Sequence, residues 1–233
     1  MKFGSVDKIR TVSDSKRDFY TRHTRPINSV YRRVVEELLV EMHLLSVNVD
    51  FHYDPIYALG VVTSFEKFME GYRPGEDKPN IFNALCQAVN GNPEVYRRDA
   101  ENMIAIAKET NIDSLLSQLQ NPALGGNNQL SDSLVSVINA PKFKYSRLFA
   151  IGLYTILAEA QPDMIKEKEK REPILQKFSE ILRLSSEKLQ KDLDVYRGNL
   201  DKMDQLLKVI EDALEAEKKK RQQKEQEKQT TLQ

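Results

Sequence analysis

Residues 144–160 read KYSRLFAIGLYTILAEA, and from Leu148 to Ala158 nearly every position is apolar. A helix that is apolar all round has no face to offer water, so in a water-soluble protein it must be surrounded by other elements. The run is interrupted at Arg147, and from about Tyr145 to Ala158 it falls short of the ~20 residues needed to cross a bilayer. It is therefore expected to be a central, buried helix with the rest of the chain packed about it.

The neighbouring segments repeat the helical period. In RPINSVYRRVVEELLVEMHLL, Ile27, Val30, Tyr31, Val34, Leu38, Met42 and Leu45 fall on one face, which predicts a long amphipathic helix. A second helix should start after Asp54, with Pro55 in its first turn and Gly71 just past its end. A third should run from about Pro79 to Val89 and stop at Asn90-Gly91, with a fourth entered through Asn92 and Pro93. Shorter helices are expected over 112–119 and 130–139, separated by the loop NPALGGNN. No alternating run with hairpin turns suggests a sheet. The fold class is therefore all-α, with a compact multi-helix body around a central apolar helix, followed by a long C-terminal amphipathic, coiled-coil-like helix.

That C-terminal helix has the most regular pattern in the chain. Leu189, Leu193, Tyr196, Leu200, Met203, Leu207, Ile210 and Leu214 alternate spacings of four and three, a heptad seam about 39 Å long at 1.5 Å per residue. Such a stripe must be covered by the body, by self-association or by another protein's helix. It is the candidate partner-binding seam. Charge divides the chain in the same way: residues 163–228 hold 17 Lys/Arg and 16 Asp/Glu but only two aromatics, Phe178 and Tyr196. The expected organisation is a globular body over 1–162, a helical extension over 163–216, and a charged tail over 217–233 that should fray or be disordered.

Composition narrows the function classes. Lys+Arg and Asp+Glu both number 35, so no global field steers the chain onto nucleic acid. Cys86 is the single cysteine, which excludes an internal disulfide and a cysteine-rich zinc site and fits a reducing compartment. The amino terminus lacks the apolar core of a secretory signal, and with an apolar run too short to span and no lipidation motif at the amino terminus or in the final TTLQ, a membrane role would be peripheral.

Few residues read as chemistry. Asp50, His52 and Asp54 alternate along DFHYDPIYALG and could be metal ligands. In an extended segment they share a face, leaving Val49, Phe51 and Tyr53 to pack on the other, while Asp54 stands where a helix cap belongs, before Pro55. A calcium loop would need glycine at Pro55 and a bidentate Glu at Val61, so the structural reading is favoured. Cys86 shares a helical face with Phe82, Leu85 and Val89, which makes it a core residue rather than a nucleophile. The Gly125-Gly126 pair lacks the context of a phosphate loop. The cluster Arg22, His23, Arg25, Arg32 and Arg33, interleaved with Tyr20 and Tyr31, could form an anionic-surface patch, although Arg32 and Arg33 also stand four residues before Glu36 and Glu37 and can pair with them. No catalytic, cofactor-binding or metal residues are assigned, and no cofactor is implied.

The longer runs TVSDSKRDFYTRHTRPINSVYRRVVEELLVEMHLL, FHYDPIYALGVVTSFEKFMEGYRP and NIFNALCQAVNGNPEVYRRDAE together resemble the thylakoid formation protein family. The resemblance spans about Thr11 to Ala160 strongly and continues less specifically into the extension. No transit peptide precedes Thr11, as in a cyanobacterial member or a mature form. The resemblance implies an all-helical, non-catalytic factor of photosystem II biogenesis, peripheral on the cytoplasmic (stromal-equivalent) face of the thylakoid membrane. It also implies that the chain binds and stabilises the thylakoid FtsH protease complex; the alternative expectation is a peripheral organiser of the thylakoid membrane surface acting through the basic patch of Arg22, Arg25, Arg32 and Arg33. It carries over no catalytic residues and does not say which surface meets the protease.

Overall fold

The computed structural model describes residues 10–121 and 128–230, without the side chains of Leu214 and residues 221–230. Among the described residues it contains α-helices and one 3-10 turn, with no strand. Most of the starts follow the capping rules. The side chains of Asn28, Asp54, Asn92, Asn111, Asn128 and Ser146 accept from free N–H groups at the starts of α2 (Ser29–Ser46), α3 (Pro55–Phe68), α5 (Pro93–Glu109), α6 (Ile112–Gln120), α7 (Gln129–Asn139) and α8 (Arg147–Ala160). The 3-10 turn Gly75–Asp77 leads into α4 (Lys78–Ala88), whose first turn holds Pro79. Three exits use left-handed backbone, Gly71 at φ 77°, Asn90 at φ 61° and Arg183 at φ 57°.

The first helix, α1 (Val12–Arg22), was not read from the sequence. Its apolar pattern is thin, with only Phe19 and Ser15 buried, yet a capping box between Thr11 and Asp14 starts it. Arg10 then ties it down by donating to Asp18 and to the carbonyl of Ala88. The loop expected around Gly125-Gly126 lies mostly outside the described residues.

At the centre, α8 is buried along most of its length, as its composition predicts. It shares that place with α3, where Ile56 to Val61 are all buried, and α5 packs on both. The axes come close because glycines meet at the crossing: a Cβ built on Gly60 would lie 1.7 Å from the Leu148 carbonyl oxygen, and one on Gly152 1.9 Å from that of Ile56. On α2 the buried face runs through Tyr31, Val35, Leu38, Leu39, Met42, His43 and Leu45. Val34, assigned to that face from spacing, is half-buried along with Val30, because α1, α3 and α4 all contact α2 and turn its buried arc toward Val35.

The expected boundary at 162/163 moves. Contacts divide the chain at Asp194/Val195, so α9 (Pro162–Lys166), α10 (Lys168–Ile181) and the first turns of α11 (Ser186–Thr230) belong to the compact unit. Ile165, Leu175, Phe178, Leu182, Leu189 and Leu193 are all buried, which is the physical reason for the shift. The second unit, from Val195, is the remainder of α11. Its backbone is helical through Thr230 rather than frayed from 217, in keeping with the high helix propensity of its Glu, Lys, Gln and Arg.

Candidate functional site

Asp54 does what its position before Pro55 suggested: its carboxylate accepts from the Tyr57 N–H at 2.8 Å. Burial pushes its pKa up to about 6 against that stabilising bond. His52 is exposed, with Nδ1 3.2 Å from the Asp50 carbonyl oxygen, and the three residues do not converge. Among the described residues no group of three or more His, Cys, Asp or Glu could hold a metal ion.

The other face of this segment departs from expectation. Phe51 packs edge-on against Tyr57 at 4.9 Å, and Tyr53 donates to Asp99 at 2.8 Å while meeting the rings of Tyr57 and Tyr96. Val49, however, is 92% exposed. The segment turns at residues 49 and 50 instead of running extended, so alternation fails there. Cys86 is fully buried on α4, and burial raises its thiol pKa to about 12.

The basic cluster is dispersed, and two of its four arginines are paired with carboxylates. Arg25 bonds the buried Asp77 at 2.5 Å, Arg33 bonds Glu37 at 2.9 Å, and Arg22 bonds Gln87 at 3.2 Å. Arg32 forms no ion pair among the described residues, because Glu36 is engaged by Lys16 at 2.7 Å and by Tyr20 at 2.6 Å. His23 is buried, and loss of solvation holds its imidazole below the ordinary range. The four arginines thus split between two places.

Arg32 and Arg33 belong to a surface trough of about 1090 Å³ that follows the outer face of α2 from Ser29 to Asn48. Lys16 flanks it on one side and residues 144–147 on the other. Its charges are Lys16, Arg32, Arg33, Lys144 and Arg147 against Glu36, Glu37 and Glu41, with apolar lining from Val40, Leu44 and Leu45. Arg147, the charge that interrupts the central apolar run, bonds Glu41 at 2.5 Å and so joins α8 to α2. Tyr145 donates to Asp192 at 2.9 Å, holding the 140–146 loop against the start of α11. Burial and the Asp192 carboxylate push the Tyr145 hydroxyl pKa well up.

The heptad seam has more than one environment. Leu189 and Leu193 are core residues of the compact unit and are not available to a partner. Beyond the boundary Tyr196 and Met203 are buried, Leu200 and Leu207 half-buried, and Ile210 exposed, while the side chain of Leu214 lies outside the described residues. A second exposed pair, Leu206 and Val209, lies on another side of the same helix and was not part of the seam. Leu44, Val47 and Val49 were also missed, although HLLSVNVD holds more aliphatic residues than the single face traced to Leu45 could bury.

The profile described as thylakoid formation protein matches residues 11–225. The Thf1 protein of Gloeothece citriformis is 64% identical over 220 residues, covering 94% of this chain and 97% of the relative. That of Synechocystis is 56% identical over 216 residues, covering 93% and 90%. A solved structure of Psb29 superposes with a TM-score of 0.71 at 43% identity, covering 84% of this chain and 98% of that one. Helical architecture and near full-length identity agree, and the chain belongs to the thylakoid formation protein family.

Proposed function

We propose that this chain is a non-catalytic accessory protein of photosystem II biogenesis and repair, peripheral on the cytoplasmic face of the thylakoid membrane. In this role it binds and stabilises thylakoid FtsH protease complexes. The observation that carries the reading is family membership along residues 11–225. The chemistry of the body is compatible with it: the raised carboxyl of Asp54 caps a helix, and the raised thiol of Cys86 lies in the core. In a cyanobacterial strain lacking the chain, FtsH complexes should fall in abundance under strong light, and a tagged copy should co-isolate with them. Normal complexes together with no co-isolation would sink the reading.

For the contact we assign the part of the seam outside the compact unit, Leu200, Leu207 and Ile210. Leu200→Glu with Leu207→Glu should abolish co-isolation while the body stays folded. Retained binding would remove this surface but not the partner.

A further inference from the structure

Three aliphatic side chains within six residues stand in solvent at one end of α2: Leu44 is 57% exposed, Val47 39% and Val49 92%. Leu44 and Val47 are three apart in the helix and at its C-cap, so they share a side. Val49 follows at the turn. The turn is built to present them: the Asn48 side chain accepts from the Asp50 N–H at 3.0 Å, and its carbonyl accepts from the Phe51 N–H at 3.1 Å. Phe51 then anchors the segment against Tyr57. The exposure therefore belongs to a defined turn.

Positive charge lies beside these residues. Lys144 lines the same trough as Leu44 and Asn48, and Lys142 is exposed in the same loop. Neither lysine forms an ion pair among the described residues, and neither does Arg32 further along the trough. The trough carboxylates Glu36, Glu37 and Glu41 are already held by Lys16, Arg33 and Arg147. Asp50 is the opposing charge at the turn itself.

We propose that the C-terminal end of α2 and the 140–146 loop form a docking surface for an anionic lipid bilayer, with Leu44, Val47 and Val49 entering the headgroup region and Lys142 and Lys144 meeting anionic headgroups. Apolar side chains projecting from a held turn, flanked by cations without partners, combine the two terms that drive interfacial binding, apolar burial and attraction to anionic lipid. A second copy is a poorer occupant of this face, because it would bring the same unpaired cations together. The inference takes up the peripheral location proposed above and gives it a surface. Vesicle binding and protease co-isolation are separate readouts, so either can fail alone.

The test uses the full chain with phosphatidylglycerol–phosphatidylcholine vesicles and with phosphatidylcholine alone. Wild type should co-sediment with the anionic vesicles only. Leu44→Ser/Val49→Ser should weaken binding about tenfold or more at any salt, and Lys142→Glu/Lys144→Glu should do so most strongly at low salt. Both pairs are exposed, and circular dichroism would verify the fold. The chain has no tryptophan, so Val49→Trp supplies a single reporter. Its emission should shift to the blue on anionic vesicles, whereas that of Val209→Trp should not. Failure of wild type to bind anionic vesicles, unchanged binding of Leu44→Ser/Val49→Ser, or an unshifted Val49→Trp in vesicle-bound protein would overturn the proposal. Self-association that Leu44→Ser/Val49→Ser removes would also overturn it, by giving the face to a second copy.

Discussion

Gly60 and Gly152 face each other across the crossing of α3 and α8, each occupying the only space the other helix's carbonyls leave free. The obstacle to a larger residue is backbone on both sides: Leu148 O against Gly60 and Ile56 O against Gly152. A methyl group cannot be accommodated by a rotamer change, so the helices must separate. Gly60→Ala or Gly152→Ala should each cost about 3 kcal/mol, measured by urea denaturation. Gly198, with nothing within 4 Å of a built Cβ, should behave oppositely: Gly198→Ala should stabilise α11 by about 0.5–1 kcal/mol.

Alanine substitutions along the heptad seam should separate its core part from its exposed part. Leu189 and Leu193 are 0% and 1% exposed, so replacing either with Ala should cost about 2–5 kcal/mol in the unfolding of the compact unit. Ile210→Ala, at an exposed position, should change stability by less than about 0.5 kcal/mol. Equal effects at both ends would mean that the unit boundary near Asp194 has no energetic meaning.

Two kinds of desolvated group should give opposite pH dependences. Asp54 has a folded pKa of about 6 against an ordinary 3.8, so the folded state takes up its proton first. Its contribution to stability is full below about pH 4 and is lost as pH rises through 6, amounting to roughly 2–3 kcal/mol. His23 and His43 are held below their ordinary 6.5, chiefly by burial. Their contribution is present above pH 6.5 and is lost as pH falls through their lower folded values. Asp54→Asn keeps a capping oxygen and removes the first effect. Stability measured from pH 7.5 to 4.5 should then fall more steeply on acidification than in wild type.

Cys86 offers a probe of opening. With its thiol buried on α4 and its pKa pushed up to about 12, it should resist disulfide reagents and maleimides at neutral pH in the native state. The labelling rate should instead follow unfolding and rise with urea. Rapid labelling without denaturant would show that α4 leaves the body locally.

Much of this architecture could be read from the residues because it rests on local signals. The Asp54-Pro55 and Asn92-Pro93 starts, the Asn90-Gly91 stop and the all-round apolar run after Arg147 each state their structure within a few positions. What could not be read depends on partners distant in the chain. The choice of Val35 over Val34 on α2 is made by α1, α3 and α4, and the partnership of Gly60 with Gly152 needs the crossing itself. The seam illustrates the limit: its period is correct, but periodicity does not say where covering ends, and burial stops being continuous after Tyr196. Likewise the arginines at 22, 25, 32 and 33 are close in sequence, yet Gln87, Asp77 and Glu37 draw Arg22, Arg25 and Arg33 into separate local pairings that leave Arg32 out.

Four helices, α2, α5, α6 and α7, begin at an asparagine whose side-chain oxygen accepts from the first free amides. Asparagine is the residue that slowly hydrolyses to a carboxylate as a protein ages. At these positions an aspartate product keeps the accepting oxygen, and its new negative charge lies beside the positive end of a helix dipole, where it is favoured. Conversion to aspartate at Asn28, Asn92, Asn111 and Asn128 would therefore preserve the helix starts, whereas rearrangement to isoaspartate, which adds a methylene to the backbone, would break them, so the route of ageing decides whether these four helices keep their beginnings.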